Sequence, residues 1–99
     1  MMDKFNELIN EDKPVLIDFY ANWCGPCQTM APILENVKDQ IGDQARVVKI
    51  DVDKFQDIAS KFEVRSIPTL LMFKNGKVIW RHVGIASTNE LLKQLKNNI

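Results

Sequence analysis

The 99 residues, 45% hydrophobic and 26% charged, suit one compact domain over residues 1–99 and leave no room for a second core. Thirteen basic residues balance thirteen acidic ones, so no global field points to nucleic acid or to an anionic membrane surface. No apolar run approaches the roughly 20 residues that span a bilayer, and the opening Met-Met-Asp-Lys-Phe-Asn-Glu lacks the basic-then-apolar pattern of an export signal, so a cytoplasmic protein is expected.

Phe5, Leu8 and Ile9 recur at i, i+3 and i+4, which predicts a short amphipathic helix over about residues 4–11, stopped by Pro14. Val15-Leu16-Ile17-Asp18-Phe19-Tyr20 is a nearly continuous apolar run with β-branched and aromatic members, the pattern of a strand buried on both faces. A loop follows. Met30, Ile33, Leu34, Val37 and Ile41 then keep helical spacing, giving a helix from Gly25 to Ile41 that Gly42 ends and that Pro32 should kink. Arg46 to Val52 reads as a second β-branched strand, and Phe55, Ile58, Ala59 and Phe62 mark a short helix. Thr69 to Phe73 is a third strand, which the two-residue turn Asn75-Gly76 returns antiparallel as Lys77 to Val83. Ser87 and Glu90 have the spacing of a capping box before a last helix whose Leu91, Leu92 and Leu95 face inward. The order α-β-α-β-α-β-β-α implies an α/β fold: one βαβ unit plus a hairpin, in a mixed four-stranded sheet with helices on both faces.

The two cysteines stand together in Trp23-Cys24-Gly25-Pro26-Cys27, too close to staple much of the chain. Beside a βαβ pattern this spacing reads as a redox pair. It is also half of a zinc site, but a structural zinc takes four ligands and the chain offers these two and a distant His82, so no metal is expected. Cys24 falls where a strand gives way to a helix, whose free N–H groups and positive dipole end favour a thiolate. Gly25 admits a partner backbone, and Pro26 suits the first helical turn, where its missing N–H costs nothing. Cys27 lies one turn along, so its sulfur can curl back. Cys24 is therefore expected as the exposed attacking thiol and Cys27 as the buried resolving one.

Asp18 interrupts an apolar strand. Alternation groups Leu16, Asp18 and Tyr20 on one face and Val15, Ile17 and Phe19 on the other. If both faces are covered, Asp18 is a buried carboxyl with a raised pKa that can take a proton from a buried thiol. The alternative is an edge strand with Asp18 in water, the commoner fate of aspartate. Pro68 precedes a strand and is by default trans. His82 reads as an exposed strand residue, Trp80 as packing, and Lys93 and Lys96 as a solvated helix face near a C-terminus, where the dipole favours cations.

Asp18-Phe19, Trp23-Cys24-Gly25-Pro26-Cys27, Ala31-Pro32, Asp51 to Asp53, Ile67-Pro68-Thr69, Phe73-Lys74-Asn75-Gly76 and Val83-Gly84 run in order across almost the whole chain and closely resemble the thioredoxin family. A bare C-x-x-C is a weak signal; W-C-G-P-C with a downstream I-P-T is highly specific. The resemblance implies a thioredoxin fold and a protein-disulfide reductase, an electron carrier that maintains cell redox homeostasis. In it Cys24 attacks a substrate disulfide and Cys27 resolves the mixed disulfide. It further implies that Pro68 is cis and packs beside the disulfide, and that Asp18 is the buried carboxylate serving Cys27, with Lys49 as its charge partner. Gly25, Pro26 and Lys49 would tune the redox pair. Trp23, Gly25, Pro26, Ile67, Pro68, Val83 and Gly84 would form the substrate groove.

The implied protein is a monomer that binds no cofactor of its own. Its implied partners are disulfide-containing client proteins and a thioredoxin reductase, which carries flavin and uses NADPH. Gly-Pro between the cysteines implies the reducing end of the chemistry, because related oxidising proteins carry His there. The rival reading is a subunit of a larger complex, in which the fold and not the thiols matters. Four departures from the family pattern stand out. The family's first edge strand is missing, so the sheet is expected to have four strands with an edge at Arg46–Val52. Tyr20 replaces a common Trp. Gln28 stands where a basic residue often follows the second cysteine, and Ser66 stands where Gly often precedes Ile67.

Overall fold

In chain order the elements are α1 (Met2–Ile9), β1 (Val15–Tyr20), α2 (Gly25–Ile41), β2 (Arg46–Asp51), α3 (Gln56–Lys61), β3 (Thr69–Lys74), β4 (Lys77–Val83) and α4 (Thr88–Lys96). They are taken from a computed structural model, which describes residues 2–99. A single 3₁₀ turn over Gly42–Gln44, which periodicity did not reveal, joins α2 to β2. α2 spans Pro32 as one helix of 17 residues. β2 stops one residue short of the expected Val52, although the Val52 N–H still donates to Tyr20 O at 2.9 Å.

The strands lie in the order β2-β1-β3-β4. β1 runs parallel to β2 and antiparallel to β3, and β3 runs antiparallel to β4. β1 is thus interior, with neighbours on both sides, while β2 stands at an edge among the described residues. Five consecutive β1 residues, Val15 to Phe19, are buried, as are Thr69 to Phe73 of β3. These two strands carry the sheet's centre because they are apolar on both faces and helices cover both.

Each face has its own layer. On one, Phe5 and Ile9 of α1 and Ile58 and Ala59 of α3 pack against Val15, Ile17, Phe19, Ile50, Leu71 and Phe73. On the other, Met30, Leu34, Val37 and Ile41 of α2 and Leu91, Leu92 and Leu95 of α4 pack against Leu16, Leu70 and Met72. An isolated helix as short as α1 is unstable in water. Phe5 ties it down, its ring 5.5 Å from Phe62 and 5.7 Å from Phe73 between centroids. The β3–β4 turn supplies a second tie, with Asn75 N donating to Glu11 O at 2.7 Å and Gly76 N to Ile9 O at 3.0 Å. Asn75 and Gly76 sit at φ 53° and 81°, the left-handed pair that a type I′ turn requires. The expected cap is present: Ser87 Oγ accepts from Glu90 N at 3.1 Å. Among the described residues no helix is long and apolar enough to cross a membrane.

Candidate active site

Because β1 hands the chain directly to α2, the residues between them stand at one end of the sheet, at a helix N-terminus. Cys24 is the N-cap of α2, with extended backbone at φ −94° and ψ 116°, and its sulfur accepts the Cys27 N–H at 3.2 Å. Pro26 occupies the first turn. Cys24 and Cys27 are joined in a disulfide, their Cα atoms 5.3 Å apart. The sequence reading expected an exposed Cys24, whereas the two cysteines are 5% and 3% exposed. The reason is local packing: Ala21 and the two cysteines form a small buried cluster against Tyr20, Val52 and Ile67. What distinguishes them is their surroundings. Cys24 Sγ lies 3.7 Å from Ile67 O, while Cys27 lines a cleft with Lys49.

The Ile67–Pro68 peptide is cis, against the default for an X-Pro bond and in line with the resemblance. Pro68 is buried and Ile67 half-buried. Gly84 N donates to Pro68 O at 2.8 Å, which brings the end of β4 to this loop. Gly84 takes φ 98°, a conformation that L side chains rarely adopt. Trp23 is 72% exposed, Val83 56% and Ile85 47%, and Gly25 and Pro26 are also exposed. Ile85 was not singled out in the sequence, because no periodicity marks a loop residue. Asp53, read only as part of a family motif with no role of its own, accepts the Trp23 indole N–H on its Oδ2 at 2.9 Å from 30 residues away. Asp53 is itself held by a turn in which its N–H donates to Asp51 Oδ1 at 2.9 Å.

Asp18 is fully buried, and neither carboxyl oxygen has a hydrogen-bond partner. The interior position of β1 decides between the two sequence readings in favour of burial. Removal from water pushes its pKa up to about 6, and the Lys49 charge pulls the other way. Lys49 is the register partner of Asp18 across β1 and β2. The expected charge partnership acts at a distance, because among the described residues Lys49 makes no ion pair within 4 Å of Asp18. Its Nζ sits instead over the Tyr20 ring, 4.4 Å from the centroid. His82 stacks on Trp80 at 5.6 Å and its Nε2 lies 3.1 Å from Ile85 O. Among the described residues no group of three or more His, Cys, Asp or Glu is arranged to hold a metal.

This arrangement supports thiol chemistry at a helix N-terminus: two sulfurs in bonding contact, an N–H aimed at one of them, and a buried carboxyl of raised pKa on the strand that leads into the helix. Comparison with known proteins agrees. The thioredoxin family model matches residues 1–97. The chain is 47% identical over 94 residues to Thioredoxin Y, chloroplastic, of Oryza sativa subsp. japonica, covering 94% of this chain and 56% of that protein. It is 49% identical over 89 residues to a thioredoxin-like protein of Synechocystis sp., covering 90% and 85%. The chain therefore spans little more than half the length of the rice relative. Among solved structures, a variant thioredoxin from Halobacterium salinarum superposes with a TM-score of 0.88 at 36% identity, covering 97% of this chain and 83% of that one. Oxidised mitochondrial thioredoxin 3 from Saccharomyces cerevisiae gives 0.86 at 38% identity, covering 97% and 89%. With its fold, its cysteine pair and its sequence all matched along nearly the whole chain, this protein belongs to the thioredoxin family.

Proposed function

We propose that this chain is a protein-disulfide reductase, with Cys24 as nucleophile and Cys27 as resolving thiol. The observation that carries the reading is the Cys24–Cys27 disulfide capping α2, with the Cys27 N–H on the Cys24 sulfur. In the reduced protein the same N–H and the positive helix end stabilise a Cys24 thiolate. That thiolate attacks one sulfur of a client disulfide; a Cys24–client bond forms and the other client sulfur leaves as a thiolate, which takes a proton from water. Asp18 accepts the Cys27 proton. The Cys27 thiolate attacks Cys24 Sγ, the intramolecular disulfide forms, and the second client sulfur leaves as a thiolate that is likewise protonated by water, so two electrons pass to the client.

A lowered thiol pKa contributes modestly, since nucleophilicity falls with pKa at a Brønsted slope of about 0.4–0.5. The larger contribution is proximity, because Cys27 is already within bonding reach and turns a bimolecular step into an intramolecular one. Trp23, Ile67, Pro68, Val83 and Gly84 form the client groove beside Gly25 and Pro26. An extended client segment is held there by backbone pairing to the Ile67 loop, which gives affinity without sequence preference. The working partners are disulfide-containing proteins and a thioredoxin reductase, whose flavin and NADPH supply the electrons. The protein acts as a monomer in the cytoplasm, where thiols are kept reduced.

Insulin reduction with dithiothreitol or reductase as electron source tests the reading. Wild type is expected to be active and Cys24→Ser inert. Cys27→Ser should trap a mixed disulfide through Cys24, seen by mass spectrometry. Adducts formed mainly through Cys27 in Cys24→Ser would reverse the two roles. Wild type no more active toward insulin than the double Cys→Ser variant would leave the scaffolding reading in its place.

A further inference from the structure

The Lys49 ammonium has an unusual seat. Lys49 is exposed, and its charge acts on the buried Asp18 carboxyl one strand away. Yet its Nζ lies over the Tyr20 ring at 4.4 Å, so an aromatic face and not a carboxylate fixes where this charge sits. An exposed lysine with no restraint spreads its charge over a wide volume of water, because its stem is flexible and its head strongly hydrated. A cation over an aromatic face is held by the ring's quadrupole. Tyr20, Asn22, Cys27, Gln28 and Lys49 line one cleft of about 150 Å³. Tyr20 also packs on the cluster that contains both cysteines.

We propose that Tyr20 is a positioning residue for the exchange reaction: its ring seats the Lys49 ammonium in the cleft beside Cys27, one strand from Asp18. The proposal rests on the reductase reading of Cys24 and Cys27. Its consequence follows from the charges that face Asp18. β3 places Leu70 opposite it, and the buried residues of α2 and α4 in that layer are apolar apart from Cys27. Lys49 on β2 is the charge that acts on the carboxyl and opposes its desolvation. With the ammonium seated, Asp18 ionises low enough to be a carboxylate at neutral pH. It can then take the Cys27 proton in the resolving step, as Cys27–SH and Asp18–COO⁻ become Cys27–S⁻ and Asp18–COOH. The Cys27 thiolate next attacks Cys24 Sγ, the mixed disulfide breaks, and the departing client thiolate takes up a proton from water.

Tyr20→Leu, Tyr20→Trp and Lys49→Met test this through two readouts, an NMR titration of the Asp18 carboxyl in the oxidised protein and the pH profile of insulin reduction. Tyr20→Leu should raise the Asp18 midpoint by about half a pH unit and move the acid limb of the profile upward with it. Lys49→Met should move both further in the same direction. Tyr20→Trp keeps an aromatic face and should match wild type. An unchanged Asp18 titration in folded Tyr20→Leu overturns the proposal, whether or not Lys49→Met shifts it. Should Tyr20→Leu not fold, the wild-type spectrum decides: Lys49 side-chain protons shifted upfield by the ring support the seat, and unshifted ones overturn it. Wild type inert toward insulin would instead overturn the reductase reading, an outcome separate from the titration.

Discussion

Asp18 is the residue on which chemistry and stability pull in opposite directions. Its carboxyl carries no hydrogen bond and ionises in the folded protein near pH 6, against 3.8 for the free group. The folded chain therefore holds the proton more tightly than the unfolded chain does. The cost that Asp18 imposes on stability is absent below about pH 3.8, grows as pH rises toward 6, and is complete above that. A shift of this size corresponds to about 3 kcal/mol. Asp18→Ala is expected to raise the unfolding free energy in urea at pH 7 by about 2 kcal/mol once the small cavity is deducted, and to lose that gain near pH 4. It should also slow thiol exchange near neutral pH. A midpoint that falls on substitution at pH 7 would contradict the linkage. At this scale the sequence showed which face Asp18 shares with Leu16 and Tyr20, because alternation in a strand is strict. It left open whether that face was wet, because burial depends on how α2 and β2 fold back onto β1, which no pattern within β1 contains. The seats of Trp23 on Asp53 and Lys49 on Tyr20 were illegible for the same reason.

At the scale of elements, local signals read well wherever backbone chemistry is local. Asn75-Gly76 makes the hairpin, Ser87 caps α4, and Cys24 caps α2. The reading carried α1 two residues past Ile9, into the polar Asn10 and Glu11, and α3 one residue past Lys61, where Phe62 still packs on the core. What spacing did not disclose is how α2 meets the segment before α4. The buried Ala86 N–H donates to Met30 Sδ at 3.4 Å, across 56 residues. Met30→Leu nearly conserves volume, a change that usually costs under about 1.5 kcal/mol. Here it also removes the acceptor of a buried N–H, so a loss of about 1–2 kcal/mol is expected in urea unfolding. Met30→Leu as stable as wild type would mean that the sulfur contributes packing alone.

For the molecule as a whole, the two layers are unequal in how they are held. α2 and α4 contribute seven buried side chains to one apolar cluster on the sheet, whereas α1 is anchored chiefly by Phe5 among Phe62 and Phe73. Phe5→Ala is expected to cost about 3–5 kcal/mol. Because Phe5 lies in the layer away from the cysteines, insulin reduction per folded molecule should stay near wild type at low temperature. Loss of activity while the protein remains folded by circular dichroism would show that α1 also shapes the site. The order of elements, their approximate bounds, the redox pair at a helix start and the apolar β1 were determined by the sequence alone, because each depends on neighbours within a turn or along one strand. The interior place of β1, the burial that lifts Asp18, the approach of Gly84 to Pro68 and the shielding of both sulfurs were decided by tertiary structure. Each of these joins residues far apart in the chain, and desolvation is a property of everything that surrounds a group, which no local pattern contains.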